Sequence, residues 1–93
     1  MSDKLVYELA KNAREVIRFR LGEFKGHNFI DMRVFAIEDS KEPLPTKKGL
    51  AVSPQLWPQF RAALARVEAA MIKEGWLDKE DLELDSPSEL VAL

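Results

Sequence analysis

There is no cysteine in this 93-residue chain, and it holds only one histidine and four glycines. The missing thiols exclude disulfides, thiolate zinc sites and cysteine nucleophiles, and they fit a reducing compartment. His27 stands beside Gly26 in "FKGHN", where an exposed, solvated imidazole is expected rather than a general base, and a lone histidine argues against a zinc centre. The four glycines lie far apart, so no glycine-rich phosphate loop exists. Asp31 and Glu23 come nearest to a catalytic carboxylate pair, but among several arginines their expected role is charge balance. The chain is thus expected to be non-enzymatic and to need no cofactor and no metal. No apolar run approaches the roughly 18 residues that span a bilayer, and "MSDKLVYELAKN" has neither the cationic start nor the apolar centre of a secretory signal. A cytoplasmic protein with no membrane partner is expected, nucleoid-associated if bacterial.

What is present is one domain's worth of chain, 46% hydrophobic and 32% charged, short enough that its core is small and oligomerisation becomes a natural route to stability. The net charge of -2 hides a split. Residues 1–72 hold twelve of the fourteen bases and nine of the sixteen acids, a net +3, whereas two bases against seven acids leave residues 73–93 at -5. A basic body with an acidic tail points to a polyanionic partner. The tail itself is expected either to aid solubility or to fold back over the basic face and compete with that partner.

Apolar residues Leu5, Val6, Leu9, Ala10 and Ala13 fall at helical spacing over a short segment, so residues 1–14 read as a weak helix or a flexible arm. From Ile17 the period becomes two. Ile17, Phe19 and Leu21 alternate with Arg18, Arg20 and Gly22; after a turn at Gly26, Ile30, Met32 and Val34 alternate with Phe29, Asp31, Arg33 and Phe35. The pair predicts an antiparallel hairpin with one oily face and one basic, aromatic face. "PLPTKKG" reads as an edge strand or a loop ending at Gly49, and "LAVS" as a last short strand. Ser53 and Pro54 supply a helix start, and Gly75 the stop. On a helical wheel Leu56, Trp57, Phe60, Leu64, Val67 and Met71, with Ala63 and Ala70, cover roughly 140°. Ala62, Ala65 and Ala69 line another side where a second helix could approach. The apolar arc and this alanine strip together predict a homodimer, although both are also compatible with a helix packed on its own sheet. The expected divisions are residues 1–14, a domain over 15–75 and an acidic tail over 76–93.

The open face of the hairpin supplies what a single nucleic-acid strand requires, cations for phosphates and aromatics for bases. Arg18, Arg20, Lys25 and Arg33 carry charge, "KKG" adds Lys47 and Lys48, and Phe24, Phe29 and Phe35 are candidate stacking platforms. On spacing alone the other reading stands beside it, with Phe29 and Phe35 in the core and the arginines a solvated face.

The joint pattern "EFKGHNFIDMRVF" followed by "PTKKGLAVSPQLWPQF" resembles the DNA-binding domain of the positive cofactor four family of transcriptional coactivators. Members read approximately as "FKGK…IDIRE" and then "KP…KG(I/L)SL…W" into a helix. The resemblance covers about residues 15–72. It implies an α+β fold, four antiparallel strands and then a long helix, dimerised through the helices and binding single-stranded or unwound DNA with little sequence preference. Phe24 matches the base-stacking aromatic, Lys25 its neighbouring phosphate contact, and Arg33, Lys47 and Lys48 further basic positions. Trp57 matches the helix tryptophan, a structural position. Gly22, His27 and Leu44 stand where basic residues occur in the coactivator, and Ala36 where it has a stacking tryptophan. Arg18 and Arg20 are the expected compensation. A protein-interaction module that recruits the transcription machinery, or an RNA binder, is the alternative use of the same surface.

Overall fold

The computed structural model describes residues 3–39 and 41–83, which fall into two compact units, Met1–Pro58 and Gln59–Leu93. The first unit is a four-stranded antiparallel sheet of β1 (Asp3–Asn12), β2 (Glu15–Phe24), β3 (His27–Ala36) and β4 (Leu44–Val52), adjacent in that order. Most of α1 (Trp57–Lys73) and all of the short α2 (Lys79–Glu83) belong to the second. The fold is the α+β arrangement of four strands and then a helix that the sequence predicts.

The hairpin of β2 and β3 forms as expected. Arg18 pairs with Arg33, Arg20 with Asp31 and Gly22 with Phe29, while Ile17, Phe19 and Leu21 oppose Val34, Met32 and Ile30. Directly opposed residues share a face, so the charged set and the oily set are separated as the alternation requires. Lys25 and Gly26 make the two-residue turn with φ of 52° and 80°. Both values are left-handed, the signature of the type I′ turn whose twist matches that of the strands it joins. Phe24 and His27 thereby face each other at the hairpin tip.

Two elements correct the sequence reading. Residues 3–12 form neither a helix nor an arm but β1, paired with β2 from Asp3↔Gly22 to Asn12↔Glu15. Register shifts between Leu5 and Tyr7 and between Ala10 and Asn12 break the period of two, which is why the apolar residues mimic helical spacing. "PLPTKKG" and "LAVS" merge into the single strand β4. At this sheet edge prolines are tolerated, and Val34 alone sits opposite three residues, Thr46, Lys47 and Lys48. The Thr46 hydroxyl steadies the resulting bulge, donating to the Val34 carbonyl (2.8 Å) and accepting from the Lys48 N–H (3.1 Å). Gly49 ends it with φ of 138°, and a Cβ there would strike the Met32 carbonyl and come within 2.7 Å of Arg33 Cα.

Among the described residues the buried apolar core is Val16, Val34, Phe35 and Val52. Val34 and Val52 lie on the oily face, where Leu21 and Leu50 remain half exposed. Val16 and Phe35 oppose each other on the charged face.

α1 begins at Trp57, the next-to-last residue of the first unit, because residues 54–56 wind as turns closed by Leu56 N–H to the Ser53 carbonyl and Trp57 N–H to the Pro54 carbonyl. Its C-terminus stops at Gly75, as expected. Gly75 takes φ of 79°, its N–H reaches the Ile72 carbonyl and that of Trp76 the Met71 carbonyl, the two bonds of a Schellman motif. None of its residues is buried, and Leu64 and Val67 of the apolar arc are exposed. Residues 84–93 of the expected acidic tail lie outside the described residues.

Candidate nucleic-acid interface

The charged face of the sheet is built around one buried carboxylate. Asp31 is only 2% exposed and receives Arg20 Nη2 on Oδ2 (2.6 Å) and Arg33 Nη2 on Oδ1 (3.0 Å). Burial pushes this carboxyl up, but hydrogen bonds from Arg33 and Arg20, reinforced by their charges, more than offset it and hold Asp31 below its ordinary value. Arg33 also donates through Nη1 to the Thr46 carbonyl (3.2 Å), which ties the centre of the face to the β4 bulge. Arg18 and Arg20 lie over the Phe35 ring at 4.8 and 5.3 Å from its centroid. Phe35 is therefore the core floor beneath two guanidinium groups and not an open stacking platform.

β1 contributes two carboxylates that sequence reasoning does not identify. Glu8 accepts from Arg18 Nε at 2.7 Å and Asp3 from Arg20 Nη1 at 3.4 Å. Their roles become visible only once β1 is a strand in register with β2. All three arginines of the face are thus matched by three carboxylates, Glu8, Asp3 and Asp31.

The aromatic end is different. Phe24 is 56% exposed at the hairpin tip, with Lys25 Nζ 5.3 Å from the ring centroid. Phe29 is half-buried, its ring crossing the bare backbone of Gly22, where a Cβ would collide with it. Phe24, His27, Asn28 and Phe29 line a shallow concavity together with Arg20, Asp31, Arg33 and Ala51. The face thus brings Arg18, Arg20, Arg33 and Phe24 together, with exposed Lys25 at the turn next to Phe24. Lys47 is exposed at the β4 bulge and has no ion pair among the described residues. Lys48 departs from the expected ridge. Its side chain, 68% exposed, has Nζ 3.6 Å from Glu15, which register places on the oily side. Hydrogen bonds from Asn12 and Lys11, with some help from the charges of Lys11 and Lys48, keep the Glu15 carboxyl below its usual value.

A family profile described as Transcriptional Coactivator p15 (PC4) matches residues 11–63, more than half of the chain. The chain belongs to the PC4 family. Among curated relatives, the RNA polymerase II transcriptional coactivator KELP of Arabidopsis thaliana is 31% identical over 71 residues. That alignment takes in 76% of this chain and 40% of KELP, so the chain spans about two fifths of that relative's length. The PC4 fold recurs in the crystal structure of a PC4 homologue from Burkholderia pseudomallei, with a TM-score of 0.66 and 24% identity over 72% of this chain and 98% of the other. It recurs again in the bacteriophage T5 homologue of the eukaryotic coactivator PC4, implicated in recombination-dependent DNA replication. There the TM-score is 0.58 and the identity 22%, covering 92% of this chain and 99% of the phage protein. The PC4 profile takes in β2, β3 and β4 entire, the strands that carry the charged face. No helix among the described residues is long and apolar enough to cross a membrane.

Proposed function

We propose that this PC4-family chain is a non-enzymatic single-stranded DNA-binding protein that acts in transcription, gripping an unwound strand along the β2–β3 face. The observation that carries the reading is Phe24, a large aromatic held exposed beside a lysine at the tip of a rigid two-residue turn. Such a ring presents a π-face on which any base can stack, which gives affinity without sequence preference. Lys25 and Lys47 supply open phosphate contacts at opposite ends of the face. Arg18 and Arg20 supply further contacts once Glu8 and Asp3 yield, while Arg33 stays bound to Asp31 and adds its charge to the face. From His27 to Val34 the ridge runs about 23 Å at 3.3 Å per residue, room for a few nucleotides.

The functional unit is a homodimer. Exposed Leu64 and Val67 on α1 and an apolar core of four residues among those described support this, because so small a core leaves a single copy marginal. Light scattering should give a mass of twice 10.6 kDa; the mass of one chain at micromolar concentration would refute the dimer.

The test of the binding reading is fluorescence anisotropy of labelled oligo-dT against the matching duplex over a salt series. Tighter binding of the single strand is expected, with the logarithm of affinity falling about 0.7 per phosphate contacted against the logarithm of salt. Absence of oligo-dT binding at low salt would reject the reading and turn attention to protein partners.

A further inference from the structure

The charged face is electrostatically self-matched, and its neutrality has a consequence for which strands it accepts. Glu8 lies on Arg18 and Asp3 on Arg20, both from β1, whereas Asp31 holds Arg20 and Arg33 from within the face. The two kinds of pair differ in burial. The Asp31 side chain is 3% exposed, but those of Glu8 and Asp3 are 41% and 38% exposed. Exposed ion pairs are weakly held and easily exchanged, so an incoming phosphate can displace the β1 carboxylates but not Asp31. We propose that Glu8 and Asp3 are specificity-determining residues that occupy the phosphate sites of Arg18 and Arg20. They hold the attraction of this face for any polyphosphate low enough that only a strand whose bases also stack is bound.

The inference rests on the single-stranded DNA reading and deepens it. Duplex DNA offers phosphates but no free base for Phe24, so its affinity depends on charge alone. Each duplex contact also releases more counterion than a single-strand contact, about 0.9 against about 0.7. Relieving the arginines of their carboxylates therefore favours the duplex more.

The experiment compares wild type, Glu8→Gln, the Glu8→Gln/Asp3→Asn double variant and Glu23→Gln on oligo-dT and on duplex across a salt series. Glu23 is on β2 but on the opposite face, so its variant makes the same change in net charge away from the arginines. Glu8→Gln should tighten oligo-dT binding about two- to five-fold and steepen the salt slope by up to roughly 0.7. The duplex gain should be larger, so the single-strand preference narrows, further still in the double variant. Thermal melting of each variant guards against misfolding. Unchanged binding by Glu8→Gln while wild type binds oligo-dT would overturn the inference alone. So would an equal gain for both strands, or the same gain from Glu23→Gln. If wild type fails to bind oligo-dT at any salt, the functional reading itself falls and takes this inference with it.

Discussion

Replacing Phe24 with alanine should weaken oligo-dT binding by about 1 to 3 kcal/mol, or roughly 5- to 150-fold in Kd, with little change in salt slope. The size follows from the loss of one base–aromatic stack, and the unchanged slope from the fact that no charge is removed. The fold should survive, because a half-exposed ring at a hairpin tip contributes little to the core, and the Lys25–Gly26 turn keeps its geometry without it. Lys25→Ala is the informative contrast. It removes a cation and should make the slope shallower by about 0.7 with a smaller loss at high salt. Anisotropy titrations at two salt concentrations separate the outcomes; a Phe24→Ala protein that binds as tightly as wild type would remove base stacking from this position.

Asp31→Asn should cost about 3 kcal/mol of stability at neutral pH, because it leaves two partly buried guanidinium groups facing each other without their shared counter-charge. For a domain of this size that corresponds to a fall in Tm of more than about 10 °C. Protein concentration must be equal in the two melts, since the proposed dimer would make Tm depend on it. The acid side carries a second signature. The folded state holds Asp31 below its ordinary pKa, so the stabilisation is fully present above about pH 4, where the unfolded carboxyl is also ionised, and is lost as pH falls through the folded value. The stability curves of wild type and variant should therefore converge in strong acid. Parallel curves from pH 7 down to pH 2 would mean that Asp31 is not the ionic keystone of the face.

The β2–β3 hairpin is legible in the sequence because apolar and polar residues alternate from Ile17 to Gly22 and again from Ile30 to Val34, and the tip shows its turn through a single glycine. The charged and oily faces follow directly. β1 is hidden for a physical reason: every one of its residues is exposed, so no buried face imposes a period, and two register shifts scramble the alternation that remains. Its carboxylates are hidden with it. That is why Arg18 and Arg20 read as open cations when they are already paired with Glu8 and Asp3. Lys48 is misplaced for another reason: Gly49 pairs with Arg33 on the charged face, so simple alternation puts its neighbour Lys48 on the opposite face, where Glu15 lies. The role of Asp31 is half legible: charge balance is readable from its arginine neighbours, but its burial shows only in the folded sheet, where it lies between Arg20 of β2 and Ala51 of β4.

The irregularities of β1 also bear on how the protein survives at high concentration. As the first strand of the order it has no strand partner on its outer side among the described residues, and Leu5, Val6, Tyr7 and Leu9 would make an attractive template for a fifth strand from another molecule. Where the register slips, the spacing of backbone donors and acceptors along that edge is interrupted, and Lys4 and Lys11 place like charges near both ends. A neighbouring copy cannot zip along it in a continuous ladder. The same two bulges that disguise the strand in the sequence guard it against ribbon-like aggregation.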